Sequence, residues 1–181
     1  PGTAPRAKRT SPRRAATRAG IGEKANRLVF EKGFGAVTME QVALAADIQR
    51  STLYLHFREK DDILAAIASE YTEKLRPVIA RLPGPVPTRV EIARWVSEFA
   101  EFVGNESAAT ELLVSLSHLP KAPAAASAFG QSLLSMMAER LMAIRAALEP
   151  GNHMARAWMV AVMDTLGWAL CNHARHGVTE T

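Results

Sequence analysis

Residues 38–60 read TMEQVALAADIQRSTLYLHFREK, and they carry the signals from which the fold can be inferred. Thr38 and Gln41 have the Thr-x-x-Gln spacing of a capping box, which predicts that a short helix begins after Thr38. The apolar periodicity breaks at Asp47, a residue type that accepts the left-handed backbone conformation of a tight turn. A second short helix is predicted from about residue 50 to residue 56. Two short helices joined in this way are typical of a helix-turn-helix.

Helical spacing of apolar residues continues on both sides of this stretch. A helix is predicted over residues 19–32, where Gly33 ends it, and another begins near Lys60 and is kinked or ended by Pro77. A stiff Pro-Gly-Pro segment at residues 83–87 marks a domain boundary. The remaining sequence is also helical in pattern, with predicted helices at 88–104, 106–119, 122–148 and 152–176. The predicted fold class is therefore all-α.

Basic residues are concentrated near the N-terminal end. Residues 1–60 contain twelve basic and five acidic residues, a net of +7, so the total of +4 leaves −3 for residues 61–181. A basic end on a weakly acidic body is typical of a protein that contacts a polyanion, and a solubilising tail is the alternative. Residues 1–18 carry six basic residues, three prolines and no acid, which predicts a disordered basic arm. This arm either lies along DNA phosphates or has no role.

The second short helix carries small polar and basic side chains that can read DNA. A helix fits the major groove, where Arg50 can donate two hydrogen bonds to guanine and Gln49 can pair with adenine. Lys60 lies at a helix start, where a cation does not suit the helix dipole, and this favours an interaction with a phosphate. The predicted DNA-binding residues are Thr38, Gln49, Arg50, Ser51, Thr52, Tyr54, His56 and Lys60.

Three of these residues also have a simpler structural interpretation. Thr38 could serve only as a helix cap, Tyr54 only as a packing residue, and His56 could be merely exposed to solvent. Leu53 and Phe57 are expected in the core of the helix-turn-helix.

A wider pattern surrounds the quoted stretch: Phe34-Gly35-x-x-Thr38, then x-x-Val42-Ala43-x-x-Ala46-Asp47-Ile48, then Ser51-Thr52-Leu53-Tyr54-x-His56-Phe57-x-x-Lys60. This pattern resembles the TetR-type (tetracycline-repressor-like) transcriptional regulators over about residues 18–67. Two positions depart from the family pattern, because Asp47 replaces the usual turn glycine and Gln49 replaces the usual helix-starting serine. Asp47 can adopt the turn conformation, whereas Gln49 leaves the operator sequence open.

The resemblance implies an all-helical homodimer with an N-terminal three-helix helix-turn-helix that binds double-stranded DNA and a larger helical ligand-binding and dimerisation bundle. The implied division is a disordered basic arm (1–18), a helix-turn-helix DNA-binding domain (19–60), a connecting helix (61–82) and a ligand-binding and dimerisation domain (83–181). The implied function is a cytoplasmic repressor that releases a palindromic operator when a small apolar effector binds. Activation of transcription and an effector-independent architectural role are the alternatives.

The C-terminal body contains six of the seven methionines and all three tryptophans. Flexible thioethers beside rigid aromatic rings suit a pocket for apolar ligands, although such residues more often form an ordinary core. The candidate ligand-binding residues are Trp95, Phe99, Phe102, Leu113, His118, Phe129, Met137 and Met163. A surface position is an equally good account of His118.

Two apolar stripes are predicted either to form a four-helix interface with a partner subunit, by analogy with the family, or to cover the core of the monomer. They consist of Leu133, Met137, Leu141, Ile144 and Leu148, and of Trp158, Val162, Leu166 and Leu170.

Other classes of function find little support in the sequence. No nucleophile–base pairing, glycine-rich phosphate loop or paired-carboxylate pattern indicates an enzyme, and no cofactor is predicted. Cys171, His173 and His176 lie close in sequence, but zinc sites need three or four ligands with supporting contacts, so no metal site is predicted. No stretch has the roughly 20 apolar residues of a membrane-spanning helix.

Overall fold

A computed structural model describes residues 11–117, 119 and 121–176 of the chain. These residues form helices and no strand, which confirms the predicted all-α fold with an N-terminal helix-turn-helix and a larger helical body. The helices are α1 (Pro12–Lys32), α2 (Met39–Ala45), α3 (Arg50–His56), α4 (Lys60–Ala80), α5 (Arg89–Asn105), α6 (Ser107–Ser117), α7 (Ala124–Ala138), α8 (Met142–Leu148) and α9 (His153–His176).

Helix α1 begins at Pro12, so the prediction of a disordered arm is wrong for residues 12–18. The hydroxyl of Ser11 caps the helix by accepting a hydrogen bond from the backbone N–H of Arg14 (3.3 Å). Proline suits the first turn of a helix because the N–H that it lacks has no intrahelical partner there. The rest of the predicted arm, residues 1–10, lies outside the described residues.

Helices α1, α2 and α3 form the helix-turn-helix around a shared core. The predicted capping box is present, since Gln41 N–H donates to Thr38 Oγ1 (3.3 Å) and Thr38 N–H donates to Gln41 Oε1 (3.0 Å). Asp47 has a φ of 55°, the left-handed conformation expected at the turn. The residues that form the core include Ile21, Ala25, Val29, Val42, Leu53 and Phe57.

Helix α4 leaves the helix-turn-helix and enters the body. Pro77, at which a kink or an end was expected, lies inside α4, and the helix continues for three more residues to Ala80. Val78 and Ile79 in this last turn are buried, and Trp95 Nε1 donates a hydrogen bond to the carbonyl of Val78 (2.9 Å). This packing compensates for the backbone hydrogen bond that proline cannot donate.

The body consists of α5 to α9. The prediction of a single helix over residues 122–148 is wrong, because the helix is interrupted at residues 139–141, between α7 and α8. The guanidinium of Arg140 donates from Nε (3.2 Å) and Nη2 (3.0 Å) to the carbonyl oxygen of Leu82, just beyond the end of α4. This contact lies at the break between α7 and α8. Helical periodicity cannot predict it, because the two residues are distant in sequence.

Two features are absent from the residues that the structure describes. None of their helices is both long and apolar enough to cross a membrane. No three or more of their His, Cys, Asp and Glu side chains are grouped so that they could hold a metal ion.

Candidate nucleic-acid interface and internal cavity

Helix α3 has a buried face and an exposed face. Leu53 and Phe57 are buried in the core, as expected from the sequence. The predicted DNA-binding residues Gln49, Arg50, Ser51 and Tyr54 are exposed, whereas Thr52 and His56 are partly buried. The seven-residue helix therefore offers a polar face of the kind that enters a major groove.

Arg50 is held by two neighbours on this face. Its Nη1 lies 2.7 Å from Oε1 of Glu40 on α2, and its Cζ lies 5.4 Å from the centroid of the Tyr54 ring. A side-chain hydrogen bond with Tyr54, and after it the negative charge of Glu40, raise the pKa of Arg50. The arginine thus remains charged and is partly oriented in the free protein.

Thr38 and Lys60 are both engaged within the protein. The hydroxyl of Thr38 serves as the cap of α2, so its simpler structural interpretation accounts for the position. Lys60 Nζ donates to the carbonyls of Phe34 (3.0 Å) and Gly35 (3.3 Å) and lies 5.1 Å from the ring centroid of Phe34. These carbonyls account for the presence of a cation at the start of α4.

Two arginines of α1 bind the C-terminal end of α3, a contact that the sequence analysis missed. Arg14 Nη2 donates to the carbonyl of Leu55 (2.7 Å), and Arg18 Nη1 donates to the carbonyl of His56. The guanidinium carbon of Arg18 also lies 4.2 Å from the ring centroid of Phe57. Because the last carbonyls of a helix lack intrahelical partners and carry partial negative charge, these cations stabilise α3.

The same arrangement affects His56. Burial lowers the pKa of its imidazole below the ordinary histidine value, and the positive charges of Arg14 and Arg18 lower this pKa further. The Nδ1 atom is buried and has no hydrogen-bond partner in the structure. The neutral imidazole is therefore the favoured form at neutral pH.

A cavity of about 440 Å³ lies inside the body, among α4, α5, α6, α7 and α9. Its described lining is mostly apolar and includes Leu75, Val103, Val114, Leu133, Leu134, Val160 and Leu166. Hydroxyl groups are contributed by Tyr71, Thr110 and Ser117, none of which was predicted. Cavities of this size that combine apolar walls with a few polar groups are typical of small-molecule sites.

The predicted ligand-binding residues divide between this cavity and the surrounding core. Phe99, Phe129 and Met163 line the cavity. Trp95, Phe102, Leu113 and Met137 are not among its lining residues; Trp95, Leu113 and Met137 are buried in the core and Phe102 packs against it. His118 lies outside the described residues. Helical periodicity identifies which residues face inward, but it does not distinguish a packed core from a void.

Helix α9 has an exposed apolar face. Met154, Trp158, Val162 and Trp168 are 73%, 69%, 55% and 69% exposed, and their spacing places them on one side of the helix. Leu166 lines the cavity instead, and the side chain of Leu170 lies outside the described residues.

The other predicted stripe is mostly turned inward. Met137 and Ile144 are buried, and Leu133, Leu141 and Leu148 pack against the core. In the described chain this stripe packs on the core of the monomer.

Comparisons with known proteins agree with this geometry. Residues 21–67 match the family model described as "Bacterial regulatory proteins, tetR family". The fold resembles that of the fatty acid degradation regulator FadR from Bacillus halodurans, with 15% identity, a TM-score of 0.67, and coverage of 96% of this chain and 90% of that one.

Two further solved structures have a similar fold. A bacterial regulatory protein of the tetR family from Rhodococcus RHA1 has 21% identity, a TM-score of 0.62, and coverage of 94% of this chain and 87% of that one. The FadR of Thermus thermophilus, a TetR-family transcriptional repressor solved in complex with lauroyl-CoA, has 21% identity and a TM-score of 0.52, with coverage of 88% and 84%.

At identities of 15% and 21%, the solved structures show only that the fold is similar. The similarity in sequence is shown by the family model over residues 21–67. Residues 21–67 thus match the sequence model of the tetR family, and the helices over most of the chain take a fold similar to that of the solved tetR-family protein from Rhodococcus RHA1.

Proposed function

We propose that this protein is a homodimeric transcriptional repressor that binds a palindromic operator and releases it when a small apolar molecule enters the cavity. The observation that carries this proposal is the double role of α4. Its first turns pack Ile63, Leu64 and Ile67 into the core, and farther along the same helix Tyr71 and Leu75 line the cavity. A molecule in the cavity therefore contacts the helix that leads to the helix-turn-helix.

The DNA-binding part of the proposal rests on α3. Its exposed Gln49, Arg50 and Ser51 are residue types that reach base edges, and Arg50 is oriented by its neighbours. Lys60 and Thr38 have a smaller role in DNA binding in this proposal, because both already make hydrogen bonds within the protein. The ammonium group of Lys60 has three donors, so it can contact a phosphate as well. In the proposed complex, two copies of α3 enter the major groove about 34 Å apart, one turn of DNA.

The effector part rests on the cavity. The apolar walls select an apolar molecule, and the hydroxyls of Tyr71, Thr110 and Ser117 provide polar groups that can orient it. The complex of Thermus thermophilus FadR with lauroyl-CoA supports the idea that a protein of this fold accommodates a ligand with an apolar portion. The molecule favours DNA release only if it binds the released arrangement more tightly than the DNA-bound one.

The dimer part rests on the exposed face of α9. Two tryptophans, a methionine and a valine exposed on one side of one helix form an apolar surface that a partner helix would cover. Packing of α9 against its copy buries these residues and sets the separation of the two α3 helices.

The test is selection of binding sites from a randomised duplex library with the full chain. We expect an enriched sequence with two half-sites related by two-fold symmetry and centred one helical turn apart. Arg50→Ala should flatten base preference at one position per half-site, at a cost of about 1–3 kcal/mol. Arg76→Ala, which removes an exposed arginine of α4 paired with Glu73, is the control and should leave the preference unchanged. Absence of any enriched sequence, or an equal loss on all sequences with Arg50→Ala, would refute the DNA-reading role.

The effector is tested on the selected duplex. Fractions of a metabolite extract are added to the protein–DNA complex, and release of a labelled duplex is followed by fluorescence anisotropy. We expect release by an apolar fraction. Retention of the duplex in every fraction would favour an effector-independent architectural role.

A further inference from the structure

The ion pair between Glu40 and Arg50 connects the two helices of the helix-turn-helix at its exposed surface. Glu40 lies on α2 and Arg50 on α3, and their side chains are 52% and 63% exposed. The pair lies beside the face that carries Gln49 and Ser51. A negative charge is thus placed next to the surface that is proposed to meet DNA.

Glu40 lies in the first turn of α2, where the helix dipole favours a carboxylate, but local stability accounts for only part of its presence. An ion pair between such exposed side chains adds little to the free energy of unfolding, because water and salt screen the two charges. Helix α2 already has its capping box from Thr38 and Gln41. Near DNA the carboxylate is repelled by phosphates, so it lowers affinity for duplex of any sequence. The carboxylate of Glu40 lowers affinity for DNA and adds little stability. A role in the selection of one DNA sequence over others would account for it.

We propose that Glu40 is a specificity-determining residue, which orients Arg50 toward a guanine and accepts a hydrogen bond from the amino group of a cytosine in a neighbouring base pair. This inference rests on the proposed function. Arginine has five N–H donors, so it can keep one on Glu40 while two others bind guanine O6 and N7. Carboxylates accept hydrogen bonds from cytosine N4, whereas the other acceptor groups of the major groove repel them.

The substitution Glu40→Gln tests this inference because it removes the charge and keeps the shape of the side chain. We expect affinity for random duplex to rise by about three- to tenfold, since a repulsive charge is lost. We also expect base preference to flatten at one or two adjacent positions of each half-site, since Arg50 loses its anchor and cytosine its acceptor.

The matched control is Glu73→Gln, which removes the same charge from an exposed pair with Arg76 on α4 (3.1 Å). Binding sites are selected from a randomised duplex library with the wild-type chain and with each variant. The inference is supported if only Glu40→Gln flattens the enriched sequence. It is overturned if Glu40→Gln enriches the wild-type sequence with unchanged preferences, or if Glu73→Gln flattens the same positions. A wild-type chain that enriches no sequence instead refutes the proposed function, and this inference with it.

Discussion

The hydroxyl of Tyr71 on α4 lies 2.8 Å from Oγ1 of Thr110 on α6, in the wall of the cavity. Thr110 donates its own hydroxyl proton to the carbonyl of Glu106 (3.0 Å), so Tyr71 is the donor in the first contact. One turn farther along α4, Lys74 pairs with the carboxylate of Glu106 (2.9 Å). Helix α4, which leaves the helix-turn-helix, is thus joined by polar contacts to Thr110 of α6, in the wall of the cavity, and to Glu106, between α5 and α6.

Replacing Tyr71 by phenylalanine removes the buried hydroxyl and keeps the ring. We expect Tyr71→Phe to lower the free energy of unfolding by about 0.5–1.5 kcal/mol, the usual net value of a hydrogen bond. Urea denaturation measures this change. Tyr54→Phe is the matched control, because Tyr54 is exposed and its change should stay within about 0.5 kcal/mol. Equal effects of the two substitutions would show that the Tyr71–Thr110 contact adds no stability.

Replacing Arg18 by alanine removes a cation from the end of α3. We expect Arg18→Ala to lower the free energy of unfolding by about 1–2 kcal/mol, because a charge-assisted hydrogen bond and a contact with the Phe57 ring are lost. Amide exchange at Phe57, whose N–H donates to Leu53 (2.9 Å), should become faster. Arg13→Ala, which removes an exposed arginine from the first turn of α1, should leave this exchange unchanged. Similar amide exchange at Phe57 in both variants would contradict the stabilisation of the C-terminal end of α3 by Arg18.

Acidification is expected to destabilise the protein through His56. Its folded-state pKa is lowered, first by burial and then by Arg14 and Arg18. The unfolded chain, with an ordinary histidine pKa of about 6.5, takes up the proton first as pH falls. The unfolding free energy should therefore decrease as pH falls through the unfolded-state pKa of about 6.5, until the lower folded-state pKa is passed.

The variant His56→Gln tests this origin of the pH dependence. Its unfolding free energy should depend less steeply on pH over the same range in chemical denaturation. His153→Gln, at the exposed start of α9, serves as the control and should retain the wild-type slope. If the unfolding free energy of His56→Gln depends on pH as steeply as that of the wild type, other groups cause the pH dependence.

A larger side chain at Gly130 should block the cavity. A Cβ atom at this lining residue of α7 would meet no other heavy atom within 4 Å, so Gly130→Leu has room to extend a side chain there. We expect unchanged affinity for DNA, with the effector concentration needed for release raised by about tenfold or more. Gly104→Leu on α5 has equally open surroundings but lies outside the cavity lining. A normal response of Gly130→Leu to effector would place the ligand elsewhere.

A charge on the exposed face of α9 should separate the proposed dimer. Trp158→Arg puts a cation where a partner helix would bury the tryptophan, and an unpaired buried charge is strongly unfavourable. Sedimentation velocity should then show a monomer, and binding to a two-half-site duplex should weaken. Val90→Arg changes a similarly exposed apolar residue on α5 and should remain a dimer. A dimeric Trp158→Arg variant would exclude this face as the interface.

Local interactions explain which features were predicted from the sequence. The capping box of Thr38 and Gln41, the left-handed Asp47 and the buried Leu53 and Phe57 depend on residues only a few positions apart. Helical periodicity likewise reports the inward face of each helix without knowledge of its neighbours. The all-helical fold and the exposed polar face of α3 were accordingly predicted before any tertiary contact was known.

Tertiary structure decided the features that depend on residues distant in sequence. Arg14 and Arg18 reach α3 across about forty positions, and Arg140 binds Leu82 across an even longer segment. The cavity is a void left where five helices fail to fill the space between them, so its lining depends on their relative placement. A periodic pattern contains no information on that placement, which is why Tyr71, Thr110 and Ser117 were found only in the folded chain.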